Sequence, residues 1–244
     1  MKRDAEFTLV VVMYPWGKAS FPAEKMPPIL LGVGVVAGLI LFAANGFVAE
    51  GGPAANPNTG ALDVRKLKGV MLVTLGVAFL IETGLGAQVW VNTFKDFKPK
   101  PEESNAAYRG LYNSLEHAGP ALIFIWVHAV LVNSNTATLL GATYTTARFA
   151  YGFLFGTFGG FTIAVEPCTE FCYTLLSLLL VGTLASLAGA GDVLASASAH
   201  IYKAVPLGLG AIIFWWAGVW MPLGLPVAKT ILAGVAWKEA ASEK

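Results

Sequence analysis

The chain has 244 residues, of which 56% are hydrophobic and 13% charged, against about 25% charged in an ordinary soluble domain. That composition excludes a water-soluble fold. Sixteen Lys and Arg against fifteen Asp and Glu leave a net charge of +1, so the chain carries no basic footprint for nucleic acid.

A hydrocarbon layer about 30 Å thick takes about 20 apolar residues per helix. Runs at 29–49, 69–91, 111–132, 136–158, 171–190 and 204–224 meet that length, which predicts an all-α integral membrane protein with six spans. Residues 1–28 read as an irregular interfacial arm, with Trp16 in a Tyr14-Pro15-Trp16 stretch as its anchor. No secretory signal is expected there, because the first long run follows Pro27-Pro28 and has the length of a full span. Span 29–49 is uncharged and carries Gly34-x-x-x-Gly38, a small-residue face that lets another helix come close. The loop at 50–68 holds Gly51-Gly52-Pro53 and Asn56-Pro57-Asn58, strong turn chemistry, and ends in the surface anchors Arg65, Lys66 and Lys68.

Span 69–91 carries Glu82 near its middle, and 95–103 is a polar surface loop with Pro99 and Pro101. Span 111–132 is entered through Arg109 and contains Asn113, Glu116, His117 and His128. Only Asn133-Ser134-Asn135 separates it from span 136–158, so these two form an antiparallel hairpin. Span 136–158 holds Arg148, and its Gly152-x-x-x-Gly156 reads as a close-packing face. The run to Gly160 has no following Lys-Ser/Thr and is no phosphate cradle. Residues 159–170 are expected to be a loop containing Glu166-Pro167. Cys168 and Cys172, four apart, share a helical face and read as packing residues. Trp215, Trp216 and Trp220 mark the far end of the last span. With six spans, one side of the membrane receives ten basic residues and the other four, leaving aside Arg109 and Arg148. The positive-inside rule puts both termini on the cytoplasmic, stromal or matrix side.

Ionisable groups inside lipid cost about 2.5–3.5 kcal/mol each on insertion scales and need partners. Arg109, Asn113 and Glu116 fall on one helical face, and Tyr144, Arg148 and Tyr151 on another. The short hairpin lets the two faces meet, with Arg148 to Glu116 or Glu82 as the expected ion pair. Two uses follow from spacing alone: polar glue between helices, or a pocket open to the basic side. His117 and His128, eleven apart and nearly on one face, read first as hydrogen-bonded core residues. Either one could also serve as the single axial ligand of a chlorophyll.

The stretch Tyr108-Arg109-Gly110-Leu111-Tyr112-Asn113-Ser114-Leu115-Glu116-His117, followed by Tyr144-Thr145-Thr146-Ala147-Arg148-Phe149-Ala150-Tyr151, resembles the MAPEG family. These are the membrane-associated proteins of eicosanoid and glutathione metabolism. The similar region covers 69–190 and implies a four-helix core. The domain reading is therefore an arm (1–28), an extra span and loop (29–68), the MAPEG-like bundle (69–190), and a further span and tail (191–244). The resemblance implies a homotrimer that binds glutathione, with Arg109, Asn113, Glu116, Arg148 and Tyr151 matching the glutathione positions. Departures accompany it: Leu111 stands where Gln is usual, and Phe155 where a second Tyr is usual. Thr162 stands at the position of the Arg that holds the thiolate, and no Lys or Arg occurs between 149 and 202. A thiol of pKa about 8.5 ionises at neutral pH only beside positive charge. These departures, with the two added spans, point to a non-catalytic accessory subunit in a larger membrane complex, among other membrane subunits and lipids. The alternatives are a glutathione-dependent transferase or peroxidase acting on a lipophilic substrate, and a pigment-binding subunit. No catalytic residue and no metal site are assigned from the sequence.

Overall fold

The computed structural model describes residues 26–93, 101–158, 162, 164–224, 226–227 and 230. The expected N-terminal arm, except 26–28, lies outside the described residues, as do the basic loop at 94–100 and nearly all of the tail beyond 224. The helices are α1 (Met26–Ala43), α2 (Asn45–Ala49), α3 (Lys68–Thr93), α4 (Pro101–Leu131), α5 (Ser134–Phe158), α6 (Glu166–Ala185), α7 (Val193–Ser198) and α8 (Ile201–Ile213). α6 runs on through a wider π-turn at Ser186–Ala190, and α8 through a π-helical stretch at Phe214–Gly224.

All six expected spans are helices, and five are long and apolar enough to cross a membrane. The exception is α5, whose 25 residues carry a run of threonines and Arg148. Its polarity is absorbed locally, because the hydroxyls of Thr138, Thr143, Thr145, Thr146 and Thr157 each donate to the carbonyl four residues earlier, at 2.8–2.9 Å. A back-bonded hydroxyl presents its methyl group outward, which makes threonine tolerable inside a bundle. Two boundaries differ from the sequence expectation. α4 starts ten residues early, at Pro101, since proline at a first helical position loses no bond. α6 starts at Glu166 inside the expected loop, for the same reason at Pro167.

α4 and α5 sit in the middle of the helices spanning 68–185, with α3 packed on one side and α6 on the other. The added helices α1 and α8 pair with each other and lie against α6, so α6 is buried along most of its length. Lipid supplies no hydrophobic drive for helix association, so close backbone approach and interhelical hydrogen bonds must supply it. The α1–α8 contact shows how. Gly34 faces Gly208 and Leu209, and a Cβ on Gly38 would lie 2.6 Å from the Val205 Cα. The pairing 34 to 208 and 38 to 204 is antiparallel, so residues 26 and 224 emerge at the same end. The second small-residue pair behaves differently: Gly152 and Gly156 are exposed, with open space around them among the described residues.

The opposite end is closed by a turn and a hub. The Asn56 side chain accepts from the Asn58 and Thr59 amides at 2.9 and 3.2 Å. The turn is then pinned to the last carbonyls of α4, with the Ala54 amide on Ala129 and the Ala55 amide on Val130, both at 3.0 Å. Asn133 caps α5 by accepting from the Asn135 and Thr136 amides at 3.0 Å. Its own amide donates to the Val48 carbonyl (3.0 Å) and the Asp192 carboxylate (2.7 Å), tying α2 and α7 to the hairpin.

Candidate functional site

The polar residues singled out by spacing gather in the half of the bundle nearest residues 26 and 224. Asn113, on the inner face of α4, is 3% exposed, and Arg148 of α5 is fully buried. Nη1 of Arg148 donates to Oδ1 of Asn113. The guanidinium lies between two rings, 5.7 Å from the Tyr144 centroid and 5.6 Å from that of Tyr151, a cation–π setting. Its Nε and Nη2 have no hydrogen-bond partner among the described residues. Tyr151 is fully buried and packs on Phe155 with centroids 5.5 Å apart.

The expected ion pair of Arg148 with Glu116 or Glu82 does not form. Glu116 turns to the outer face of α4, its side chain 52% exposed, and pairs with Arg109 of its own helix at 3.6 Å. Glu82 faces outward from α3, and no ion pair involving it occurs among the described residues. The helical phase decides this. The hairpin brings Asn113 to α5, and Glu116, three residues on and about 60° round the helix, falls at the outer edge of the same face. The five residues thus form two subsets, with Arg148, Asn113 and Tyr151 sealed inside while Arg109 and Glu116 sit at the rim.

Both histidines lie on one side of α4, as their spacing suggests, and that side faces α6. The His117 ring nitrogen lies 3.3 Å from the Tyr173 hydroxyl with the rings edge to face. His128 is fully buried with Nδ1 3.1 Å from the Thr183 hydroxyl. No group of three or more His, Cys, Asp or Glu side chains placed to hold a metal ion occurs among the described residues. Cys168 and Cys172 are both free thiols. Cys172 is buried at the α5–α6 contact, its sulfur 3.9 Å from the Tyr144 carbonyl.

Four residues join the cluster that sequence reasoning did not place there. Glu170, 1% exposed on α6, accepts from the Trp216 indole at 2.8 Å. Tyr173 carries His117 on one side and stacks on Trp215 at 5.4 Å on the other. Polar contacts therefore run from α5 through α4 and α6 to α8, and the added helix α8 walls the far side. Thr162, where the resemblance expects a thiolate-holding Arg, does structural work: its carbonyl accepts from the Val165 and Glu166 amides at 3.0 Å.

No curated protein and no solved structure matches this chain. The MAPEG family model does, over residues 69–190, the segment that folds as α3 to α6. That segment spans half of the sequence and contains both polar helix faces. The chain belongs to the MAPEG family.

Proposed function

We propose that this MAPEG protein is a non-catalytic subunit that assembles with other membrane proteins. The observation that carries this reading is the disposition of its two intramembrane cations. A glutathione thiolate needs a positive neighbour. Arg109 is engaged by Glu116, Arg148 is fully buried with Asn113, and no Lys or Arg occurs from 149 to 202. The outward Glu82 supports the assembly half of the proposal. A carboxylate near mid-span on a lipid-facing surface costs about 2.5–3.5 kcal/mol, a cost that a partner helix with a hydrogen-bond donor or a cation would remove.

A second reading is favoured by one feature. The unpartnered Nε and Nη2 of Arg148 suit a carboxylate, as a fork-shaped guanidinium does in general, and glutathione carries two. These residues fit the anionic ends of glutathione; among the described residues no further Lys or Arg stands near them to hold its thiolate. Purified protein incubated with glutathione and a lipophilic chloronitrobenzene separates the two readings. The proposal expects conjugation at the uncatalysed rate; turnover above it, lost in Arg148→Met, would establish the enzyme instead.

A further inference from the structure

At the end of the bundle opposite the polar cluster, a cavity of about 210 Å³ opens between the end of α2, the 3-10 turn Val64–Leu67 and the first turns of α3 and α5. Glu50, Arg65 and Lys66 line it together with Phe47, Gly52 and Asn135. Opposite charges thus face one space, yet no ion pair joins Glu50 to Arg65 or Lys66 among the described residues. Lys66 spends one N–H on the Pro53 carbonyl at 3.2 Å, leaving two. Arg65 reaches back to Asp63 at 3.4 Å with its side chain 87% exposed, and is free to turn. The cavity's depth is set by its own residues: Gly69 and Thr138 belong to the first turns of two spans. Phosphate headgroups lie at that level, and Lys and Arg side chains hold phosphate oxygens by charge-assisted hydrogen bonds. Below the cavity mouth, Leu72 lies on the same face of α3 as Gly69 and is 70% exposed, while Phe47 is 45% exposed at the rim. Both offer apolar surface to acyl chains.

We propose that this cavity binds the headgroup of a zwitterionic phospholipid carrying a primary ammonium. Its phosphate is held by Lys66 and Arg65, and its ammonium donates to Glu50. A choline headgroup has no N–H to donate, and an anionic glycerol headgroup places no cation opposite Glu50. Gly52 provides a clean plug. A Cβ there meets only the tip of Lys66, at 3.9 Å, so a larger side chain has room to enter the cavity from this loop.

The test is native mass spectrometry of the detergent-purified protein, offered equal amounts of dioleoyl phosphatidylethanolamine, phosphatidylcholine and phosphatidylglycerol. The ethanolamine lipid should be retained about fivefold over the other two, as a half-exposed ion pair allows. Gly52→Leu should abolish retention with the melting temperature in lipid-free detergent unchanged, and Arg65→Ala with Lys66→Ala should do the same. Glu50→Gln should erase the preference over phosphatidylglycerol. Equal retention of all three lipids, or undiminished retention by Gly52→Leu, would overturn the proposal. Thermal stabilisation by inorganic phosphate alone, matching that from the ethanolamine lipid, would overturn it in favour of a soluble-anion site.

Discussion

Asn113→Leu asks whether the buried guanidinium is held as the geometry indicates. Arg148 is fully buried and donates to Asn113 through Nη1, while its Nε and Nη2 have no partner among the described residues. A hydrogen bond to a charged group contributes about 1.5–3 kcal/mol. Removing it leaves the charge to Tyr144 and Tyr151, whose rings are worth about 0.5–2 kcal/mol each. The expected loss for Asn113→Leu is therefore about 3 kcal/mol, the upper end of that range. Arg148→Met strands the Asn113 amide instead and should cost about 2 kcal/mol. The double variant removes both polar groups and fills the space with flexible apolar atoms, so it should fall within about 1 kcal/mol of the parent. Reversible unfolding in mixed detergent micelles gives the four stabilities and a coupling of at least about 2 kcal/mol. A double variant whose loss equals the sum of the single losses would refute the reasoning, because it would mean that Arg148 and Asn113 do not depend on each other.

Gly38→Leu should destabilise by about 1–3 kcal/mol through overpacking, since its Cβ meets the Val205 backbone at 2.6 Å; Gly152→Leu, with open space around it, should have no effect on the isolated protein. Differential melting of the two variants checks this. Trp216→Phe removes the indole that donates to the buried Glu170 carboxyl at 2.8 Å. A loss of about 1–3 kcal/mol is expected, with α8 becoming accessible to protease before α6. Glu82→Leu should raise stability when the protein is reconstituted alone, by up to about 3 kcal/mol, and should weaken co-purification of partner subunits from native membrane. Cys172, fully buried at the α5–α6 contact, should resist maleimide until the protein is denatured in SDS, whereas half-buried Cys168 should label first.

The helices were legible because span length is dictated by bilayer thickness, and the small-residue face of α1 because Gly34 and Gly38 recur at helical spacing. What that face meets was not legible: small residues permit close approach without naming the partner, which proves to be Gly208 on the other added helix. The stripe of Arg109, Asn113 and Glu116 followed from periodicity. Its pairing did not, because opposite charges suggest Arg148 with Glu116, while the twist of α4 delivers the neutral Asn113. Glu170 was hidden by Pro167, which reads as a loop residue yet is at home in the first turn of a helix; that signal was present in the sequence. Nothing in the sequence placed Trp216 on Glu170, since the contact depends on how α8 docks against α6.

The most direct measurement is the mass and composition of the particle carrying an affinity-tagged copy of this protein after extraction from native membrane in mild detergent. Assembly as an accessory subunit predicts a particle containing other membrane proteins, from which Glu82→Leu is partly lost. A particle built only of 25.7 kDa chains that retains and turns over glutathione would contradict it, and would make Arg148 a substrate-binding residue.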